Sequence, residues 1–205
     1  MAKLTREERL NQLIQTDTPF WNGGILFAGL DEVGRGPLIG NVVTACVAMP
    51  KSPLLKWVDD SKKLSEKRRE EVYEEIMATA LYVGIGEATP EEIDAVNILN
   101  ATKLAMRRAA ENAPAEVFLV DAVRDVGLSG REVPIIKGDA VCYAIAAASI
   151  VAKVTRDRQM AELDKVYPMY GLLKNKGYGT AEHIRALKEF GPCKEHRKLF
   201  IRNFV

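Results

Sequence analysis

An apolar run that ends in two adjacent carboxylates constrains this chain more than any other feature. Residues 25–30 are apolar and follow the turn-forming Asn-Gly-Gly of residues 22–24, which predicts a buried strand. Asp31 and Glu32 end that strand. An ionised carboxylate in a core strand is costly unless a positive partner pairs with it, and a hard divalent cation is one such partner. The pattern therefore indicates a candidate cation site.

A glycine-arginine-glycine turn follows the two carboxylates. Gly34 and Gly36 allow the backbone to turn sharply and to come close to a ligand, and Arg35 offers a donor fork suited to phosphate. The same residues also fit a second interpretation, in which the segment is only a tight turn and Arg35 pairs with Asp31 or Glu32. Residues 29–36 by themselves leave both interpretations open.

The composition fits one globular domain. The chain has 205 residues, of which 47% are hydrophobic and 28% charged, so we expect a single domain over residues 1–205. No segment approaches ~20 uninterrupted apolar residues, and the N-terminus lacks the apolar core of a secretion signal. We therefore expect a cytoplasmic protein with no membrane partner. Cys46, Cys142 and Cys193 are odd in number and far apart, which predicts reduced thiols.

Positive charge is concentrated near the C-terminus. Residues 174–202 contain eight Lys or Arg and three Glu, a net of +5, although the whole chain carries only +1. A basic segment on a slightly acidic body indicates a polyanion partner bound at one end. A solvated helix face with ordinary lysines is the alternative. Aromatic and glycine residues interleaved at 167–171 and 176–180 favour the first interpretation for the group.

Helices and strands alternate along the chain. The apolar run at residues 115–120 repeats the first pattern and ends in a carboxylate, Asp121. Asp139 falls in the first turn of a long helix, where the helix dipole alone would also favour a negative charge. The first two strands are joined through the glycine turn, which predicts an antiparallel pair. The predicted strands are 25–31, 38–49, 81–87, 115–121 and 133–136, and the predicted helices are 1–17, 66–80, 90–112 and about 139–166.

Six ordered segments together resemble the ribonuclease HII family, the type 2 ribonucleases H. The match extends over about residues 25–200, and Val33, Asn41 and Asn175 stand where such proteins usually carry Ala, Pro and His. The segments are DEVGRGPL at 31–38, DSKKLS at 60–65, VDA at 120–122, KGDA at 137–140, AAASIVAKVTRDR at 146–158 and KGYGT at 176–180.

The resemblance implies a fold and an activity. The fold is α/β and ribonuclease H-like, with a central mixed β-sheet flanked by helices and a helical C-terminal segment. The activity is an endonuclease that cuts the RNA strand of RNA–DNA hybrids. It also incises duplex DNA on the 5′ side of an embedded ribonucleotide, which starts ribonucleotide removal and leaves 5′-phosphate and 3′-hydroxyl ends. These two nucleic acids are the implied partners.

The acidic site carried over from the family consists of Asp31, Glu32, Asp121 and Asp139. Four carboxylates cannot stay ionised together without cations, so we expect two divalent cations, Mn²⁺ or Mg²⁺. The family's mechanism uses no covalent nucleophile.

Recognition of the substrate is assigned to other residues. Backbone groups of Gly34, Arg35 and Gly36 are expected to meet the 2′-hydroxyl, which both donates and accepts hydrogen bonds. By resemblance, Tyr178 stacks on or hydrogen-bonds the sugar next to the cleaved phosphate. Several further side chains are interpreted more simply. Lys62, Lys63, Lys176 and the C-terminal basic residues are expected to bind phosphate, with ordinary surface lysines as the alternative, and His183 and His196 are interpreted as surface or helix-cap residues.

Three other classes fit the sequence less well. A non-catalytic nucleic-acid-binding module has no need for four carboxylates, which repel phosphate without metal. A small-molecule phosphotransfer enzyme would have a Gly-x-x-x-x-Gly-Lys-Ser/Thr loop, and this chain has none. The sister family, ribonuclease HIII, normally has an extra N-terminal domain of roughly 50 residues or more. We expect instead a peripheral helix at 1–20, a basic substrate-binding helical segment at about 167–205, and a monomer.

Overall fold

A five-stranded mixed β-sheet forms the centre of the protein. The computed structural model describes residues 4–205. The first strand pairs antiparallel with the second, as their short connection favours, and parallel with the fourth, as the long connection between them allows. The strands are β1 Phe27–Val33, β2 Val42–Ala48, β3 Tyr82–Ala88, β4 Val117–Asp121 and β5 Arg131–Ile135. Their order in the sheet is β3-β2-β1-β4-β5.

Helices cover both faces of the sheet, so the predicted α/β fold with a mixed sheet flanked by helices is confirmed. Alternate residues of β2 contact opposite layers: Ala45 and Val47 pack in one core cluster, and Cys46 and Ala48 pack in another. All seven residues of β2 are buried for this reason. The helices are α1 Arg6–Asn22, α2 Glu66–Thr79, α3 Pro90–Ala110, α4 Gly138–Val141, α5 Tyr143–Val166, α6 Leu172–Asn175, α7 Ala181–Phe190 and α8 Lys198–Ile201, with 3₁₀ turns at Ser61–Lys63 and Pro168–Tyr170.

Two element boundaries differ from the sequence predictions in ways that affect the site. The second strand begins at Val42 rather than at residue 38, because Gly40 has a positive φ of 79° and residues 38–41 form a loop. The long helix predicted from residue 139 is two helices, since Cys142 is extended with φ −130°. The break separates the short helix that carries Asp139 from the long buried helix α5.

The N-terminal helix is less peripheral than the sequence predicts. It starts at Arg6 with a capping box between Thr5 and Glu8, while residues 1–3 of the predicted helix lie outside the described part of the chain. Asp17 is fully buried and accepts hydrogen bonds of 2.9 Å from the backbone N–H groups of Tyr143 and Ala144. Helix α1 therefore caps the start of α5, and burial raises the pKa of Asp17 to about 6.

No helix within residues 4–205 combines the length and the apolar character that a membrane span requires. The three cysteines are free thiols, as their number and spacing predict.

Candidate active site

Three aspartates from three different elements meet at one edge of the sheet. Asp31 lies in β1 and Asp121 ends β4, and these strands are parallel neighbours with Leu30 opposite Val120. Asp139 lies in α4, which follows β5. One carboxylate oxygen from each of the three aspartates lies within 4.8 Å of the others. The parallel register thus places two carboxylates side by side, and the short helix adds a third.

The backbone around Gly138 ties this helix to the strand. The Gly138 N–H donates a 2.7 Å hydrogen bond to Oδ1 of Asp121. A Cβ at Gly138 would lie 2.5 Å from Cδ1 of Ile145 and 3.3 Å from Oδ1 of Asp121, so a larger residue would require Ile145 to shift. Lys137 precedes it in the left-handed conformation with φ 55°. The turn that places Asp139 is therefore fixed by local backbone geometry.

The cluster is electrostatically strained in the absence of a cation. Burial, followed by the nearby charges of Glu32 and Asp121, raises the pKa of Asp31 well above its usual range. Burial also raises the pKa of Asp121, although the Gly138 hydrogen bond opposes it. Divalent cations with oxygen ligands would relieve this repulsion, so the donor set fits a hard divalent metal.

Glu32 takes a different position from the three aspartates. Its Oε1 accepts a 3.2 Å hydrogen bond from Nη1 of Arg35, which is the ion pair of the alternative turn interpretation. Its Oε2 is buried and finds no hydrogen-bond partner within residues 4–205. Burial raises the pKa of Glu32, while Arg35 opposes the rise. The structure thus combines both interpretations: Asp31 joins the acidic cluster, and Glu32 pairs with Arg35 while one oxygen stays free for a cation.

The glycine-arginine-glycine turn lies against two buried arginines. Gly34 has φ 91°, and a Cβ there would overlap Nε of Arg156. Arg197 is fully buried and donates to the backbone carbonyls of the turn. Its bonds are Nη2 to Gly34 O at 2.7 Å, Nη1 to Arg35 O at 3.2 Å and to Pro37 O at 2.8 Å, and Nε to Gly40 O at 2.9 Å.

Tyr178 lies over this turn. A Cβ built at Gly36 would lie 3.4 Å from Cε1 of the tyrosine ring, so the two are in near contact. The Leu38 N–H donates a 2.8 Å hydrogen bond to the carbonyl of Gly177, which fixes the two loops against each other. Tyr178 remains 47% exposed. Gly36 and Tyr178, which are distant in sequence, therefore lie side by side at the surface, and we call the exposed surface formed by the turn and Tyr178 the notch.

The three predicted phosphate-binding lysines lie in different surroundings. Nζ of Lys62 donates a 2.9 Å hydrogen bond to Oδ2 of Asp139, so this lysine belongs to the acidic cluster. Nζ of Lys63 lies 3.8 Å from a carboxylate oxygen of Asp59. Lys176 holds a left-handed backbone with φ 51°, and its carbonyl accepts from the buried Arg156.

The sequence interpretation of three further residues is wrong. Arg197 is one of the C-terminal basic residues that the sequence predicts to bind phosphate, but its side chain is buried and donates to backbone carbonyls. Burial, followed by the charge of Arg156, lowers its pKa to about 9. His183 and His196 are buried against each other rather than exposed. Burial of a polar side chain was indicated by the sequence only for a fourth residue, Arg156, because it follows a stretch of small apolar residues on a helix that must be buried.

Comparison with known proteins is consistent with this geometry. Residues 28–204 match the family model for ribonuclease HII. The chain is 49% identical to the ribonuclease HII of Ruminiclostridium cellulolyticum over 201 residues, which cover 97% of this chain and 79% of that relative. A chain in the PCNA:RNase HII complex from Archaeoglobus fulgidus is similar with a TM-score of 0.74 and 30% identity, covering 84% of this chain and 94% of that one.

A more distant structure shares the fold. Bst-RNase HIII in complex with Mn²⁺ is similar with a TM-score of 0.65 and 22% identity, covering 82% of this chain and 63% of that one.

Proposed function

The chain belongs to the ribonuclease HII family, and we propose that it incises duplex DNA on the 5′ side of an embedded ribonucleotide, using Asp31, Asp121 and Asp139 to hold divalent cations. It is an endonuclease of the ribonuclease H type, which cleaves the RNA of RNA–DNA hybrids and removes embedded ribonucleotides. The observation that carries the proposal is the cluster of three aspartates next to the glycine turn.

Two divalent cations, Mg²⁺ or Mn²⁺, fit the carboxylates of this site. The three aspartates would hold them, and Oε2 of Glu32, which finds no hydrogen-bond partner within residues 4–205, would supply a further oxygen ligand. When bound, such ions supply Lewis-acid stabilisation of the phosphate and lower the pKa of a water molecule. Lys62 forms an ion pair with Asp139, and from this position it can contact a neighbouring phosphate. Hydrolysis at this site would leave a 5′-phosphate and a 3′-hydroxyl.

Selection of a ribonucleotide is assigned to the notch between the turn and Tyr178. Gly34 and Gly36 have no side chain that would keep a sugar away from the backbone. The side chain of Arg35, between them, is directed to Glu32. The N–H and carbonyl groups of this exposed turn can form hydrogen bonds with a 2′-hydroxyl. The half-exposed ring of Tyr178 offers a surface for the adjacent sugar.

The remaining parts of the proposal concern partners and setting. Residues 167–205 bind the backbone of the hybrid or of ribonucleotide-containing duplex DNA, since Lys174 and Lys194 are exposed there with side-chain exposures of 82% and 79%. The proposal also includes action as a monomer in the cytoplasm. One chain supplies every residue of the acidic cluster and of the notch, so the site needs no second copy.

A cleavage assay tests the proposal. Duplexes that carry one, four or many ribonucleotides are incubated with the protein and Mg²⁺ or Mn²⁺, and the cut positions are mapped. We expect incision on the 5′ side of a single ribonucleotide. The Asp121→Asn variant, which removes one charge from the cluster, should bind the duplex with little change and leave it uncut. Metal-independent cutting, or wild-type turnover by this variant, would contradict the proposal.

A further inference from the structure

Two buried histidines connect Tyr178 to the C-terminal loop. Nδ1 of His183 lies 3.0 Å from the carbonyl oxygen of Tyr178, and Nε2 of His183 lies 3.1 Å from Nε2 of His196. On its other side, Nδ1 of His196 accepts a 3.1 Å hydrogen bond from the backbone N–H of Cys193. Neither imidazole touches the acidic cluster, so the proposed chemistry does not account for them.

The partners at the two ends determine where the protons lie. A carbonyl oxygen only accepts, so Nδ1 of His183 carries a hydrogen, and Nε2 of neutral His183 is then an acceptor. At the other end the Cys193 N–H only donates, so Nδ1 of His196 accepts and its Nε2 carries the hydrogen. The two assignments agree at the shared contact, where His196 donates to His183. Every hydrogen bond therefore points the same way, from Cys193 through both rings to Tyr178.

The surroundings keep both rings neutral and fixed. His183 and His196 are almost wholly buried, and burial lowers the pKa of both, with His196 at about 4. The ring of Tyr170 packs on them, with its centroid 4.7 Å from that of His196 and 5.8 Å from that of His183. A doubly protonated contact between the two Nε2 atoms is therefore disfavoured near neutral pH.

We propose that His183 and His196 are positioning residues that hold Tyr178 at the Gly34–Gly36 turn and thereby set selectivity for single ribonucleotides. This proposal rests on the proposed function of Tyr178. Tyr178 lies between two glycines, and its backbone bonds stay within its own loop: its N–H donates to Asn175 O at 3.0 Å, and its carbonyl accepts from the Thr180 N–H at 2.8 Å. The carbonyl bond to His183 supplies a restraint from a packed helix, α7.

The chain segment that carries His196 also binds the glycine-arginine-glycine turn. His196 is followed directly by Arg197, which donates to the carbonyls of Gly34 and Pro37. Arg197 therefore contacts the turn directly, while its neighbour His196 is linked to Tyr178 through His183. A shift of either imidazole would change the distance between the ring of Tyr178 and Gly36.

Two substitutions of His183 separate a donor role from simple packing. The amide nitrogen of Asn occupies the place of Nδ1 and can still donate to the Tyr178 carbonyl, whereas that of Gln reaches the place of Nε2. The measured quantity is the ratio of kcat/KM for a duplex with one ribonucleotide to that for a long RNA–DNA hybrid. We expect His183→Gln to lower this ratio about fivefold to tenfold, and His183→Asn to leave it within about twofold.

A His196 variant tests the relay itself. In His196→Asn, the Asn oxygen can still accept from the Cys193 N–H, but the side chain is too short to donate to His183. His183 then keeps its donor bond to Tyr178 but loses the hydrogen bond that fixes its ring from the other side, so the ratio should fall, by less than in His183→Gln. An unchanged ratio in both His183→Gln and His196→Asn, or an equal fall in His183→Gln and His183→Asn, would overturn the proposal.

Two further variants separate the possible reasons for failure. Val72→Ala weakens the packing of α2, which belongs to a different core cluster from the relay, so it should lower the melting temperature and keep the ratio. Tyr178→Ala tests the proposed function: an unchanged ratio there would show that Tyr178 does not select the ribonucleotide. A lowered ratio in Tyr178→Ala together with unchanged His183→Gln would refute only the positioning role.

Discussion

Lys62 donates from its Nζ to Oδ2 of Asp139 at 2.9 Å, so a lysine expected to bind phosphate is already paired with a carboxylate of the acidic cluster. Partial burial lowers the pKa of Lys62, but the hydrogen bond and charge of Asp139 outweigh this effect and raise it. The lysine therefore stays charged and occupies one oxygen of a proposed metal ligand. A cation and Lys62 compete for the same carboxylate.

We predict that Lys62→Met strengthens metal binding and weakens substrate binding. Removal of the competing charge should tighten Mn²⁺ binding about twofold to fivefold, as expected for an exposed ion pair. The KM for duplex should rise, and the salt slope of binding should fall by about one. Calorimetric titration with Mn²⁺ and duplex binding at several salt concentrations measure these effects. Lys63→Met is the control for the metal effect, because Lys63 faces Asp59; equal metal affinities in all three proteins would contradict the prediction.

We predict that Asp31→Asn stabilises the metal-free protein while abolishing cleavage. The folded-state pKa of Asp31 is raised, so the wild-type carboxyl supports folding when it is protonated and loses that contribution as pH rises through its folded pKa. The neutral Asn side chain keeps the acceptor for the Glu32 N–H, which lies 2.8 Å from Asp31 Oδ1. The free energy of unfolding of the variant should therefore exceed that of wild type by about 1 kcal/mol or more, which is roughly 2–4 °C in melting temperature. The difference should be larger at pH 8 than at pH 5.

Thermal melting in EDTA at the two pH values checks this expectation. Added Mg²⁺ or Mn²⁺ should raise the melting temperature of the wild type by mass action and should have little effect on Asp31→Asn. A variant that is less stable than wild type at pH 8 in EDTA would show that Asp31 is not a source of electrostatic strain.

We predict that Arg197→Lys destabilises the fold and reduces cleavage. A single ammonium group cannot reach the separate carbonyls of Gly34, Pro37 and Gly40, so buried acceptors would lose their partners. The expected loss in the free energy of unfolding is about 2–4 kcal/mol, measured by urea denaturation. The exposed Arg202 offers a matched control, because Arg202→Lys should change stability by less than about 0.5 kcal/mol. Equal stability of the two variants would exclude this role of Arg197.

Sequence patterns indicated Asp31 and Asp121 because each ends an apolar run, whereas Asp139 was assigned to the site by the family resemblance. Asp31 and Asp121 follow buried runs, and parallel pairing of those runs places them together. The mixed sheet was predictable for a related reason, since a short connection gives antiparallel strands and long connections allow parallel ones. Periodicity and element ends thus carry information about side chains that share one edge of a sheet.

The buried hydrogen bonds of Arg197, His183 and His196 correspond to no such pattern in the sequence. Arg197 bonds to carbonyls more than 150 residues away, and its partners are backbone atoms, whose positions no residue type encodes. His183 and His196 likewise find each other only after the helix and the loop have packed. A polar residue in a basic, exposed-looking segment gives no local sign that it will be buried.

Gly34 and Gly36 provide the last prediction, because they are required for different reasons. Gly34 has φ 91°, and a Cβ there would overlap Arg156, so Gly34→Ala should cost more than about 1 kcal/mol of stability. Gly36 has no such strain, and its added methyl would meet only Tyr178, at 3.4 Å. Gly36→Ala should therefore fold with stability within about 0.5 kcal/mol of wild type.

The methyl group of Gly36→Ala would nevertheless fill the notch into which we place the ribose. We expect cleavage at a single ribonucleotide to fall at least about tenfold, because a displaced reacting phosphate loses alignment steeply. Thermal melting and the single-ribonucleotide cleavage assay, run on both variants, separate a folding defect from a recognition defect. Normal cleavage by a well-folded Gly36→Ala would mean that the sugar does not enter between the turn and Tyr178, and recognition of the 2′-hydroxyl would then have to lie elsewhere on the protein.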